Sequence, residues 1–220
     1  NPETARATHP PPLRDPLNLP ISASEIIHAL SKISNGKTTA DGVPAEVFKY
    51  AKIWDPEVRR YEHIIVPHLL DMFNCAFTQG TGIPASWRKA IIVPIYKGSG
   101  LKTNLDNYRG LTITCALYKL YAMILNIRLE AWSENRGIRA HTQCGFRRGM
   151  GTTAALLALQ HSIHATCTSK RTGGAGAPLF ACFVDYRKAF DKVDRTLLWN
   201  RLQALGVSGC MLAALQDLYK

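Results

Sequence analysis

Hydrophobic positions along this chain recur mostly at helical spacing, with two short stretches that read instead as strands. Residues 1–20 hold six prolines and no apolar period, which predicts an extended arm or linker rather than a packed element. Ser22 or Ser24 then opens an amphipathic helix on which Ile26, Ile27, Leu30 and Ile33 share one face, and Gly36 stops it. Residues 36–44 read as loop, and a helical pattern resumes over 45–51. Residues 57–78 read as one longer helix carrying Ile64, Ile65, Leu69, Met72, Phe73 and Phe77, with Pro67 setting a kink or a division. Gly80 and Gly82 end it.

Ala90–Tyr96 is short, apolar and rich in β-branched residues, hence a strand, and Pro94 within it points to an edge position or a bulge. A polar loop over Gly98–Arg109 follows. The clearest helix spans 113–132, with Ile113, Leu117, Leu120, Tyr121 and Ile124 on one face and Lys119, Asn126, Glu130 and Ser133 on the other. Thr152–Cys167 reads as another helix, with Leu156, Leu159, Gln160 and Ile163 along one side, and Thr168–Ala177 as a Gly-rich connection. Leu179–Val184 is six apolar residues in a row, the pattern of a strand buried on both faces, and it runs straight into Asp185. A helix from about Asp194 to Gly206 and a short one from Ser208 complete the pattern. Helices dominate over a few strands, so the class is α+β.

Charge changes this picture. The formal net charge is +11, and it is uneven: Ser86–Met150 holds eleven basic residues against three acids, an excess of eight in about a third of the chain. Such clustering suggests a polyphosphate partner, although a solvated basic surface, or an acidic protein or ribosomal RNA partner, would have the same composition. No apolar run is long enough to predict a membrane span. The six cysteines form no C-x-x-C pair, which predicts reduced, buried thiols of an intracellular protein and argues against a zinc site. The basic charge suits nuclear, cytoplasmic and organellar placement alike.

Three constellations could carry chemistry. In Phe183-Val-Asp-Tyr-Arg-Lys-Ala-Phe-Asp191, a carboxylate at the end of a buried strand, Asp185, would be a rigid seat for a divalent metal, which prefers hard oxygen ligands. Asp185, Asp191 and Asp194 could equally cap turns and helix starts, or Asp185 and Asp191 could serve an unrelated metal-dependent phosphotransferase. In Ile91–Lys97 followed by Asn107-Tyr-Arg109-Gly110, a strand ending in Lys and a loop returning with Arg pair a point charge with a bidentate fork. That suits a triphosphate, but two exposed loop cations are the simpler reading. In Gln143-Cys-Gly145-Phe146-Arg147-Arg148-Gly149, glycines and arginines lead into a helix N-terminus, a natural phosphate seat or merely a flexible connection capped by Thr152.

In order, these motifs resemble one family. Asn35-Gly-Lys37 and Asp41-Gly42 are followed by Trp87, Ile91–Lys97, Asn107-Tyr-Arg-Gly-Leu111, Gln143-Cys-Gly-Phe146 and the F-x-D-x-x-K-A-F-D motif ending at Asp191. The sequence is similar to the reverse transcriptase domain of non-LTR (LINE-type) retrotransposons, over about residues 20–220. The resemblance implies a right-hand polymerase, with residues 1–20 an arm, 21–175 fingers-like and 176–220 the first part of the palm. It implies that Asp185 is the first metal-binding aspartate and that the Tyr186 carbonyl helps hold the same ion. Phe190 would stack under the incoming sugar and reject a 2′-hydroxyl. Lys97 and Arg109 would hold the incoming triphosphate, and Gln143, Gly145, Phe146, Arg147 and Arg148 would contact template or primer backbone. The partners implied are an RNA template and an RNA/DNA duplex, and the cofactor is Mg²⁺ in the complete enzyme. Gly110 departs from the family, where many members carry proline. No Tyr-x-Asp-Asp tetrad occurs within these 220 residues, so the second carboxylate segment of a two-metal site is missing from them. The chain therefore reads as a polymerase fragment, inactive alone, whose incomplete palm either aggregates in isolation or is covered by another protein chain. The alternative is a non-catalytic RNA-binding or structural component derived from a retroelement.

Overall fold

A computed structural model describes residues 15–167, 179–186 and 188–220. Seven α-helices and two antiparallel two-stranded sheets lie among them, a mixed helix-and-sheet architecture as the α+β reading expected. They form two compact units. The first takes the chain through Trp132 together with Thr196–Lys220, and the second is Ser133–Arg195.

The first unit is organised by helices α1 (Ala23–Lys32), α3 (Val66–Thr78), α4 (Ala116–Asn135) and α7 (Gly209–Leu218). Helix α1 starts where local chemistry dictates. The Ser22 hydroxyl accepts from the Glu25 N–H and the Glu25 carboxylate accepts from the Ser22 N–H, a reciprocal capping box. Ile26, Ala29 and Leu30 are buried on its inner face, while Ile27 is exposed. They pack with Leu69, Phe73 and Phe77 of α3, Leu120, Tyr121, Ile124 and Leu125 of α4, and Met211 of α7 in one core. At its centre Phe73 meets Trp87 edge-on, ring centroids 5.9 Å apart, and Tyr121 at 5.4 Å.

The Pro-rich start is described from Asp15, and from there it packs. Asp15 caps a 3₁₀ turn over Pro16–Asn18, Leu17 and Ile21 are buried, and the Asn18 side-chain oxygen accepts from the Met211 N–H of α7. Two buried apolar side chains, the Asn18 amide, the Asn74 amide on the Ile21 backbone and the Arg128 guanidinium on the Leu19 and Pro20 carbonyls dock residues that composition alone marks as unstructured.

Residues 57–78 do not form one helix. A β-hairpin pairs β1 (Lys52–Asp55) with β2 (Arg60–His63), and α3 begins only at Val66. The Asp55 carboxylate accepts from the N–H groups of Glu57 and Val58 and closes the turn, offering that backbone an alternative to helical bonding. Pro67 therefore sits in the first turn of α3, where its missing N–H costs nothing, and produces no kink. Helix α2 (Glu46–Tyr50) lies where the pattern placed it.

Strand β3 (Ile91–Tyr96) pairs antiparallel with β4 (Tyr108–Ile113), which periodicity had assigned partly to loop and partly to the following helix. A six-residue strand containing Arg109 and Gly110 has little signal of its own, and its partner fixes it. Both strands are edges of a two-stranded sheet, and Pro94 faces Gly110 in the register. Ser133, expected on the polar face of α4, is buried.

In the second unit, α5 (Thr152–Cys167) has the expected bounds, yet Leu156 and Ile163 of its apolar side are exposed. The Gly-rich connection read over Thr168–Ala177 lies outside the described residues. Leu179–Val184 forms no strand: Phe180 is 89%, Phe183 82% and Val184 73% exposed. A strand buried on both faces needs neighbours to bond its edges and layers to cover its faces, and the described residues supply neither. The apolar run is there, but composition alone does not bury it. Helix α6 (Arg195–Leu205), which belongs to the first unit from Thr196 on, starts after Asp194 and stops at Gly206, which takes φ +102°. Among the described cysteines only Cys115 is buried and none is paired; Cys75 and Cys182 are exposed. Cys75 and Cys182 sit among apolar residues in the sequence but at the surface of the fold, so apolar neighbours do not by themselves bury a thiol. No described helix is long and apolar enough to cross a membrane.

Candidate nucleic-acid interface

The β3–β4 hairpin brings two of the cations singled out in the sequence to one side. Arg109 faces Ile95 in the ladder, and the Lys97 N–H donates to the Asn107 carbonyl at 2.8 Å, extending the pairing one step past β3. Side chains alternate along a strand, so Lys97 and Arg109 share a face as diagonal neighbours. The Lys97 ammonium donates to the Asp106 carbonyl at 2.7 Å, while Arg109 is exposed. The loop between them is braced from within: Asn107 donates to the Leu101 carbonyl and the Tyr108 hydroxyl to that of Lys102. The Ala40 N–H, donating to Thr114, ties the end of β4 to the loop after α1.

In the second unit, the segment around Gln143–Arg148 is a succession of tight turns. The two arginines in it have different roles. Arg147 donates to Glu134 at 2.8 Å and to the Ala140 carbonyl at 3.1 Å. Arg148 is exposed. Arg139 donates to the Phe146 carbonyl at 3.0 Å and lies 3.5 Å from Glu134. Glu134 thus anchors two arginines, and this clamp presents Phe146 in a left-handed conformation, φ +55°, with 88% of its surface exposed. Gln143 donates to the Gly145 carbonyl. Phe146 meets Phe190 edge to face, centroids 6.0 Å apart, and Phe190 is itself 79% exposed. Two motifs more than forty residues apart therefore meet at an open aromatic pair, with Tyr186 also exposed. Exposed rings beside arginines can stack on bases while the cations meet phosphates.

Asp185 is exposed rather than seated at the tip of a buried strand. It offers one hard oxygen ligand. Among the described residues no three His, Cys, Asp or Glu side chains gather into a group that could hold a metal ion. Lys97 and Arg109 belong to one unit and Asp185, Tyr186 and Phe190 to the other.

Sequence reasoning missed how much of the basic cluster is used inside the protein. Arg88 bonds Asp217 at 2.6 Å, Arg128 bonds Glu25, and Arg139 and Arg147 bond Glu134. Asp217 and Glu25 lie outside the basic window, so its surplus is partly neutralised by partners that a local charge count does not include. Asp217 also accepts from the Ile83 N–H at 2.6 Å, and Gly82, at φ +71°, leaves room for that carboxylate where a Cβ would meet it at 2.9 Å.

No family model matches the chain. It is similar to a probable RNA-directed DNA polymerase from transposon BS of Drosophila melanogaster, 28% identical over 122 residues, 56% of this chain and 13% of that protein. It is 23% identical over 174 residues, 79% of this chain and 17% of that protein, to a probable RNA-directed DNA polymerase from the Drosophila melanogaster X-element. It is 32% identical over 126 residues, 57% of this chain and 16% of the relative, to a retrovirus-related Pol polyprotein from a type-1 retrotransposable element R2 of Popillia japonica. The chain spans less than a fifth of the length of each.

Proposed function

We infer, from a chain similar to the RNA-directed DNA polymerases of non-LTR retrotransposons, that these residues carry the fingers region and the first part of the palm of such a polymerase domain. The observation that carries the reading is the ordered set of motifs, together with the way two of them converge at the Phe146–Phe190 pair. In this reading, Lys97 and Arg109 hold the triphosphate of an incoming dNTP, one as a point charge and the other as a planar fork. Arg148 and the exposed Phe146 contact template or primer, and Gln143 and Gly145 shape the turn that presents them. Arg147 acts through Glu134 as a positioning residue. Phe190 lies beside the sugar of the dNTP. Asp185, with the Tyr186 carbonyl, contributes one side of a Mg²⁺ site whose other carboxylates come from a segment outside these 220 residues. Polymerase chemistry in general uses divalent metal. The chain by itself binds nucleic acid and does not extend a primer.

The test is primer extension by a longer polypeptide that includes this chain and a Tyr-x-Asp-Asp segment. Asp185→Asn should abolish synthesis while leaving template binding in place, and Arg109→Ala should raise the KM for dNTP roughly tenfold or more, the scale of a charge-assisted bidentate contact. Near-normal synthesis by Asp185→Asn would remove Asp185 from the reaction. A protein that never extends primers but holds RNA stably would favour the non-catalytic reading.

A further inference from the structure

We propose that the β1–β2 hairpin is a further nucleic-acid contact, a stacking face on which Trp54 and Tyr61 receive unpaired bases of a single strand. The proposal adds a site to the interface described above and rests on that reading only in taking a nucleic acid as partner. Trp54 and Tyr61 are directly opposed in the ladder, ring centroids 5.1 Å apart at 68°, so the edge of one ring meets the face of the other. They are nevertheless 49% and 65% exposed. A T-shaped pair leaves one aromatic face open, and every base has a π-face to lay on it.

The charges on the hairpin are sorted by side. Lys52 and His63 are the next opposed pair and, by strand alternation, share the face of Trp54 and Tyr61. The other face carries Ile53, Asp55, Arg60 and Glu62, where Arg60 and Glu62 neutralise each other at 2.9 Å and Asp55 is occupied by the turn. Glu57 lies in that turn. The aromatic face therefore has a cation and no strand carboxylate. Cross-strand aromatic pairing alone would explain why the rings touch, but not why carboxylates are kept off their side. An anionic partner with stackable rings fits both, whereas an apolar protein partner would leave Lys52 without a role. The turn signal Asp55-Pro56 between two short segments with aromatic residues, Lys52–Asp55 and Arg60–His63, marks the hairpin in the sequence.

The experiment is a titration of the 220-residue chain with an oligouridylate of about twelve nucleotides, within the usual site sizes of single-strand binders, followed by tryptophan fluorescence. Trp87 and Trp132 are buried and Trp199 is partly so, which leaves Trp54 as the most open reporter. Binding should quench the emission. Read by the fluorescence anisotropy of a fluorescein-labelled oligouridylate, which does not depend on Trp54, Trp54→Ala and Tyr61→Ala should each weaken affinity by at least about fivefold, the lower end of one stacked base, with circular dichroism unchanged. Trp54→Phe, which keeps a ring, should bind within about twofold of the parent. Unchanged affinity in Trp54→Ala, or equal quenching by inorganic polyphosphate, overturns the stacking site. Arg148→Glu separates the two proposals. If it weakens binding while the hairpin variants do not, the hairpin site falls and the interface around Phe146 stands. If the parent chain does not bind the oligomer, both fall.

Discussion

Arg128 offers the sharpest check on how the first unit is held together. Its guanidinium donates to both carboxylate oxygens of Glu25, at 2.5 and 2.8 Å, to the Leu19 carbonyl at 2.6 Å and to the Pro20 carbonyl at 2.9 Å. It also sits 5.2 Å from the centre of the Phe77 ring. One side chain thus joins α4, the capping box of α1, the docked segment before it and α3. Arg128→Met keeps most of the packing volume and removes every donor. Hydrogen bonds to charged groups contribute about 1.5–3 kcal/mol and neutral ones about 1 kcal/mol. Arg128 is 9% exposed but Glu25 is 28% exposed and can recover some hydration, so the loss should be about 2–4 kcal/mol rather than the upper range for a fully buried pair. At about 2–4 °C per kcal/mol for a chain of this size, Tm should fall by roughly 5–15 °C. Urea unfolding followed by the fluorescence of buried Trp87 and Trp132 measures the change directly.

The same contact predicts a pH signature. Burial pushes the Glu25 carboxyl up, but the hydrogen bonds from Arg128 and Ser22 outweigh it and hold the group at about 2, below its ordinary 4.5. The folded value lies below the unfolded one, so the contribution is fully present above about pH 4.5 and is lost as pH falls toward 2. Arg128→Met should flatten that part of the stability profile. Combining it with Glu25→Gln should cost less than the two single losses added together. Additive losses, or an unchanged urea midpoint in Arg128→Met, would refute the reasoning.

Further outcomes follow from the other contacts. Asp217→Asn removes the Arg88 ion pair while keeping an acceptor for the Ile83 N–H, and should cost about 1–3 kcal/mol by urea unfolding. Burial pushes the Asp217 carboxyl up, but hydrogen bonds from Ile83 and Lys220 and the charge of Arg88 outweigh it and hold the group below its ordinary range, so this loss should shrink as acid protonates Asp217 in the parent and leaves both proteins uncharged at that position. Arg147→Ala breaks the bond to Glu134 and should lower stability, whereas Arg148→Ala should leave stability unchanged, weaken RNA binding and reduce the salt slope by about one. The exposed Phe180, Phe183 and Val184 predict concentration-dependent self-association of the isolated chain. Light scattering should report it, replacing Phe180 and Phe183 by Ser should reduce it, and a monomeric parent at high concentration would count against it.

What the sequence determined by itself is local. The Ser22–Glu25 box, the bounds of α5 and the stop at Gly206 depend on residues within a turn or two of one another, and the order of the short motifs along the chain was enough to bring out the polymerase resemblance. Tertiary structure decided whatever needs a distant partner. Arg109 lies in a strand only because β3 is there to bond it. Trp54 and Tyr61 became visible only once Asp55 turned the chain back on itself. Leu179–Val184 has the composition of a buried strand, but a strand is buried by its neighbours and not by its own side chains. Arg128 and Glu25, separated by 103 positions, each look like a surface charge until folding brings them together, because the energy of an ion pair depends on distance and solvent access, neither of which is written in local sequence.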